Sequence, residues 1–444
     1  MKVMVTGMPF AGHIGPLRPV VQGLVERGHA VRVHSGSRYA EAFRSVGAQV
    51  VPWQQAADFD ETDLPATFPR VASSTGLRQM LSHLREVFLG TAAGQARDLA
   101  AAYEQEPWDV LLADSTSFGA GLAAELTVAP WASISVVPLI LPSRDLPPGG
   151  MGLLPGSGRF GRARDAVLRG VSSTLLDAAL RGSYARARHE AGLQGPGPGV
   201  AGAPFSPALV LATSVPQLEL PRTDLPRHVH FVGRMAAPPP VSSGLPSWWD
   251  DVVAADRPVV HVTQGTFNAD PSDLLLPTLE ALADEPVLVV ATTGRRGVVE
   301  LAGAVPANAR ITDLLPYGEL LPRTTVMVTN GGWGGVTAGL AAGVPLVVAG
   351  GDIDKPEIAA RVGWSGAGID LRTGRPTPEQ VQQAVQDVLS DATYARAAAG
   401  IARSFAAHDG PQEVDDLLER LVAGGGRPVH REAADPWARE RAAV

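Results

Sequence analysis

Three short stretches of this sequence place reactive side chains after runs that read as strands. The first is Gly12-His13-Ile14-Gly15-Pro16, downstream of Lys2–Thr6. An imidazole beside a helix start can act as a general base, because the positive end of the helix dipole lowers its pKa and keeps it neutral. The second is Asp114, which closes the run Val110–Ala113. A carboxylate at a strand end can hold an imidazole in one tautomer and stabilise its charged form. The third is Val328-Thr329-Asn330-Gly331-Gly332-Trp333-Gly334-Gly335-Val336-Thr337, where a strand runs into a glycine loop and then a helix. Glycine lets the backbone approach a ligand closely, and a helix N-terminus offers unpaired N–H groups to a phosphate. The glycine spacing fits neither a Walker A loop nor a GxGxxG fingerprint. Plainer roles exist for all three: His13 as a packed or capping residue, Asp114 as a helix N-cap, the glycines as a tight turn.

Two smaller features support the third stretch. Gln264-Gly265-Thr266 follows the run Val259–Thr263 and brings a hydroxyl and backbone donors. Asp352, Asp354 and Lys355 follow Pro345–Val348, where they can grip sugar hydroxyls; the two aspartates can alternatively bind a metal.

The elements that must position these residues alternate in kind. Strand Lys2–Thr6, a loop, a helix with apolar spacing over Leu17–Arg27, and strand Ala30–His34 form a β-loop-α-β start, as in a parallel sheet covered by helices. The pattern continues with a helix near Leu81–Tyr103, strand Val110–Ala113, a helix over Gly119–Leu126 and strand Trp131–Val137. Pro142–Pro207, rich in Gly and Pro, reads as excursions above the sheet, with one helix over Ala163–Ala191. A proline-containing segment, Gly233–Trp249, separates this half from a second run of alternating strands and helices. The expected organisation is an N-terminal Rossmann-like half over 1–235, a linker over 236–250, a C-terminal Rossmann-like half over 251–424, and a frayed tail over 425–444. All three stretches then lie at strand carboxyl ends, where α/β sheets bind ligands.

Composition narrows the function further. The net charge of −8 carries no basic patch, which argues against nucleic-acid binding. The absence of cysteine excludes disulfides, thiolate ligands and a cysteine nucleophile, and fits a cytoplasmic protein. No run reaches the ~18 apolar residues of an integral membrane segment, and the first residues lack a secretory leader's apolar stretch.

Together the motifs resemble family 1 glycosyltransferases, the group that includes bacterial antibiotic and plant flavonoid glycosyltransferases. The resemblance runs through Gly12–Pro16, Arg27-Gly28-His29, Asp114, the TxGGWGG loop, Ala342–Pro345 and Asp354-Lys355-Pro356. It implies an α/β GT-B fold, two Rossmann-like domains facing across a cleft, with the acceptor bound by the N-terminal half (1–235) and the nucleotide sugar by the C-terminal half (251–424). It also implies inverting transfer from a nucleotide-diphosphate sugar, such as a UDP or dTDP sugar, to a hydroxyl of a small hydrophobic secondary metabolite. His13 would be the base and Asp114 its partner. Gly265, Thr266, Leu315, Asn330, Gly332, Trp333, Gly334, Gly335, Asp354 and Lys355 would bind the donor, which enters as a co-substrate without metal or cofactor. Four donor-side positions depart from the family pattern: Asn330 replaces a usual His, Gly335 a Ser, Ala338 a Glu and Lys355 a Gln. These departures leave room for a non-catalytic binding relative, and the shared architecture for a nucleotide-sugar epimerase.

Overall fold

A computed structural model describes residues 1–71, 76–235, 244–265, 270–301, 305–432 and 436–437. It contains two parallel sheets. In the first, strands β1 (Lys2–Thr6), β2 (Ala30–Ser35), β3 (Gln49–Pro52), β4 (Val110–Asp114), β5 (Trp131–Ser135), β6 (Val210–Ala212) and β7 (Val229–Phe231) run in the order β3-β2-β1-β4-β5-β6-β7. In the second, β8 (Val259–Thr263), β9 (Leu288–Thr292), β10 (Ala309–Thr312), β11 (Val326–Thr329), β12 (Leu346–Val348) and β13 (Gly368–Asp370) run in the order β10-β9-β8-β11-β12-β13. The central strands are nearly continuous in Val, Leu and Ala because helices cover both faces of each sheet. One face of the first sheet packs Leu17, Val20, Val21 and Leu24 of helix Ala11–Glu26. The other packs Ala92, Ala96 and Leu99 of helix Ala92–Gln105.

Each sheet reverses its strand order once, between β1 and β4 and between β8 and β11. Such reversals open a crevice beyond the strand carboxyl ends. Asp114 is the last residue of β4 and His13 lies in the first turn of the helix that follows β1; the loops after β8 and β11 carry Gly265 and Asn330. Helix Ala11–Glu26 also touches helix Trp333–Ala341, so the two crevices face one another.

The structure corrects several expectations. The first helix begins at Ala11 rather than Leu17, and holds both Pro16 and Pro19. Each proline cancels one helical bond to the carbonyl four residues back, at Gly12 and Gly15. Both of those glycines are exposed, so water can satisfy the freed oxygens. Helix Gly410–Ala423, expected in the second half, packs Val414, Leu417, Leu418 and Leu421 into the core of the first sheet. The tail is not wholly frayed: Val429 donates to the Ala208 carbonyl at 3.0 Å, and the Trp437 indole to Pro216 at 2.8 Å. Of the expected linker, residues 236–243 lie outside the described residues, and Trp249 packs on the second sheet.

Candidate active site

His13 is the third residue of its helix, not a residue before it. Its Nδ1 lies 2.8 Å from Oδ2 of Asp114, whose side chain is completely buried. The β1–β4 register explains the meeting: Thr6 pairs with Ala113, so Asp114 stands one residue further along the same edge. Asp114 also accepts from the Met8 N–H at 3.3 Å, the Thr116 N–H at 3.0 Å and the Thr116 hydroxyl at 2.8 Å. This full set of donors makes the carboxylate an obligate acceptor. His13 therefore carries its proton on Nδ1 and leaves Nε2 with a free lone pair.

The electrostatics differ from the dipole argument. Burial alone would lower the His13 pKa. The Asp114 charge, its hydrogen bond, and the charges of Asp354 and Glu61 together outweigh burial, and hold the imidazole above its usual value. Burial would raise the Asp114 pKa, but the His13 charge and the hydrogen bonds from His13 and Thr116 hold it below the ordinary carboxylate range. The neighbouring carboxylates thus carry the shift against burial.

Sequence reasoning missed the surroundings of His13. Glu61 accepts from the Ala11 N–H at 2.9 Å and from the Tyr39 hydroxyl, fastening the helix start. Phe10 lies 5.6 Å from the His13 ring centroid, 5.2 Å from Phe59 and 5.8 Å from Phe88. Phe10, at the cap of the His13 helix, sets apolar surface beside the imidazole, and Phe59 and Phe88 back it from distant segments that no local spacing announces.

On the second sheet, Gly265, Asn330, Gly331 and Lys355 converge. A Cβ on Gly265 would lie 3.6 Å from Asn330 Oδ1, and one on Gly331 would lie 3.5 Å from Lys355 Cβ. Gly331 takes φ +86°, which a side chain would strain. Gly332 caps helix Trp333–Ala341, and Gly334 in its first turn is exposed with open space where a Cβ would be. The helix thus presents bare N–H groups to the cleft. The Asn330 amide donates to the Gln264 carbonyl, joining the two loops instead of reaching outward. Trp333, expected at the donor, is only 6% exposed and packs among Val336, Leu340 and Ile358. Leu315 is half-buried beside Trp249 at the end of β10. Gly335 faces Tyr317, whose hydroxyl would lie 3.7 Å from an added Cβ. Thr266 lies outside the described residues.

Asp354 closes the cleft from the second sheet. Burial raises its pKa, and the charge of His13 across the cleft opposes that rise. The residue before it, Ile353, takes φ +55°, a costly conformation for a β-branched side chain. Lys355 Nζ pairs with Asp352 at 2.8 Å. Among the described residues, one trio of His and carboxylate groups brings its ligand atoms within 4.8 Å of one another: His29, Asp415 and Glu419. It lies beyond the opposite end of the His13 helix, where the chain's amino group and Asp415 already bond the imidazole.

Two parallel sheets with their reversal crevices opposed, a His–Asp pair on one side and a glycine-rich helix start on the other, define a GT-B transferase. Residues 274–421 match the family described as erythromycin biosynthesis protein CIII-like, C-terminal domain. Over 426 residues the chain is 41% identical to 4'-demethylrebeccamycin synthase of Lentzea aerocolonigenes, covering 95% of this chain and 99% of that protein. Over 436 residues it is 30% identical to UDP-glycosyltransferase 2 of Phaeomoniella chlamydospora, covering 95% and 96%. The solved glycotransferase of kitacinnamycin superposes with a TM-score of 0.72 at 26% identity, covering 94% of this chain and 98% of that one. The glycosyltransferase VinC, solved in complex with dTDP, superposes at 0.65 with 22% identity, covering 96% and 100%, and shows the same fold. The chain belongs to the family 1 glycosyltransferases of the antibiotic type. It is an enzyme of that class. No helix among the described residues is long and apolar enough to cross a membrane.

Proposed function

We propose that this enzyme transfers a sugar, with inversion, from a nucleotide-diphosphate donor to a hydroxyl of a small apolar natural product. The observation that carries the reading is the 2.8 Å contact between His13 and the buried Asp114, opposite Asp354. His13 Nε2 takes the proton of the acceptor hydroxyl. The acceptor oxygen forms a bond to the anomeric carbon while the bond from that carbon to the diphosphate breaks, and the electron pair leaves on the diphosphate. Asp114 stabilises the imidazolium that results. The N–H groups at Gly332–Gly335 receive the departing phosphate charge, and Lys355 adds a cation, so the reaction runs without metal. Asp354 grips the sugar hydroxyls. The Phe10 ring beside His13, backed by Phe59 and Phe88, suits an apolar acceptor. The reaction belongs in the cytoplasm, which suits a chain without cysteine.

The test is a product screen by mass spectrometry. UDP-glucose, dTDP-glucose and dTDP-rhamnose are each offered with quercetin and 4-methylumbelliferone, followed by the anomeric configuration of any product by NMR. An inverted linkage supports the reading. A retained configuration rules out single displacement with His13 as base.

A further inference from the structure

Helix Lys355–Trp364 presents one face to both halves of the molecule. Asp354, at its cap, faces His13. Glu357 and Arg361 follow at the spacing that keeps side chains on one side of a helix. Glu357 reaches back into the first half, where its Oε2 accepts from the Gly150 N–H at 3.2 Å and the Gly152 N–H at 3.3 Å. Both glycines take positive φ, so the loop is shaped to aim two donors at one carboxylate. Arg361 is 2% exposed. Its Nη1 bonds Glu357 Oε1 at 2.6 Å and its Nε bonds Glu219 Oε2 at 3.0 Å. Glu219 is itself 1% exposed and accepts from the Leu139 N–H at 3.3 Å. Next to it, Val215 and Leu218 of the first half sit in the apolar core of the second.

The segment held in this way is Leu139–Gly152. It follows β5, at the same sheet edge as His13, and displays Ile140 and Met151 at 49% and 52% exposure. A buried arginine that bridges two carboxylates contributes little net stability compared with well-packed apolar residues. It does fix geometry, because moving either half breaks several buried bonds together.

We infer that Glu357 and Arg361 are positioning residues that hold the acceptor-side loop Leu139–Gly152 in register with the donor-side helix headed by Asp354. This rests on reading His13 and Asp354 as two sides of one reaction centre. One helix then sets the distance between the acceptor's apolar wall and the sugar. Error at that joint misaligns the attacking oxygen without loosening the nucleotide.

Two variants disturb the joint from opposite sides. Glu357→Gln removes the charge shared by Arg361 and the two glycines. Gly152→Ala touches no charge but drives a methyl to 2.9 Å from Pro356 Cβ at a residue with φ +62°. Hydrogen exchange of the Gly150–Gly152 amides, UDP and dTDP affinity by calorimetry, and kinetics with the best donor–acceptor pair of the screen are measured for each. The expected result is faster loop exchange, an acceptor KM raised ~10-fold or more, lower kcat, and nucleotide Kd within about twofold of the parent. Unchanged loop exchange in either variant overturns the proposed hold. A freed loop with unchanged KM and kcat reduces the cluster to a structural bridge and overturns the positioning role. If Glu357→Gln does not fold, Gly152→Ala decides alone. His13→Ala, assayed beside them, separates this outcome from a wrong assignment of the reaction centre, because it should lose turnover while its loop stays protected.

Discussion

Replacing Asp114 by Asn keeps the shape of the His13 pair and removes its charge. The parent carboxylate is fully buried and 2.8 Å from Nδ1, so solvent screens the attraction little. Opposite unit charges ~4 Å apart attract by ~4 kcal/mol at an effective dielectric of ~20. That attraction grows as His13 becomes charged, so its loss falls on the transition state, at about tenfold per ~1.4 kcal/mol. The tautomer suffers as well. Thr116 already donates to Oδ1 and Oδ2, and an Asn oxygen kept against its N–H turns the amide group toward Nδ1. An N–H donated there forces the imidazole proton onto Nε2, where the base must be empty. The expected fall in kcat/KM is ~10³-fold, within the ~10²–10⁴ range of acid–base catalysis. The pH profile adds a second signature. His13 loses its base form as pH falls through a pKa held above 6.5, and that limb should move to lower pH in Asp114→Asn, where burial prevails. Steady-state rates between pH 5 and 9 and a UDP titration by calorimetry read both effects. A variant that keeps more than about a tenth of parental turnover, with an unmoved acid limb, refutes the pairing.

The same pair sets a stability window. His13, with its pKa raised, stabilises the fold below its unfolded pKa, and that contribution is lost as pH rises through the folded value; Asp114, lowered, contributes above 3.8 and loses it on acidification. The Tm gap between parent and Asp114→Asn should therefore narrow toward both extremes of pH. Gly332→Val should weaken UDP and dTDP binding with little change in Tm, because its Cβ meets nothing closer than 3.9 Å; unchanged nucleotide affinity removes the loop from the phosphate site. Gly331→Ala should instead lower stability by ~1 kcal/mol or more, since it combines φ +86° with a 3.0 Å approach to Val348. Lys355→Gln should weaken donor binding, and added salt should weaken the parent's; equal or tighter binding by the variant leaves Lys355 only as the partner of Asp352. Activity should persist fully in EDTA, and a strict need for Mg²⁺ or Mn²⁺ would reassign Asp352 and Asp354 to metal.

Much of this site was legible because the residues that matter follow short, mostly apolar runs. Val110–Ala113 and Val326–Thr329 point their loops at the cleft, and a parallel sheet brings those loop ends together without further information. Other features were hidden for identifiable reasons. Pro16 and Pro19 mask a helix that starts at Ala11, since its tolerance of them depends on glycine carbonyls facing solvent. Strands β6, β7 and β13, each three residues long, are too short for a period-2 pattern to register. Helix Gly410–Ala423 has an evident apolar face, but nothing along the chain tells which sheet it covers. Glu61 and Thr116 reach the His13 pair, and Phe59 and Phe88 reach Phe10, through tertiary contacts alone. The donor-side substitutions were visible at once, but the bond from Asn330 to Gln264 was not, because it depends on two loops meeting across neighbouring strands.

The most direct test of the account is His13→Ala, measured in two assays on one preparation: turnover with the best donor–acceptor pair, and UDP or dTDP affinity by calorimetry. The account predicts a ~10²–10⁴-fold loss of turnover with nucleotide affinity unchanged, since His13 meets the acceptor and not the diphosphate. Near-normal turnover with every accepted substrate would contradict it, and some other group would then have to take the acceptor's proton.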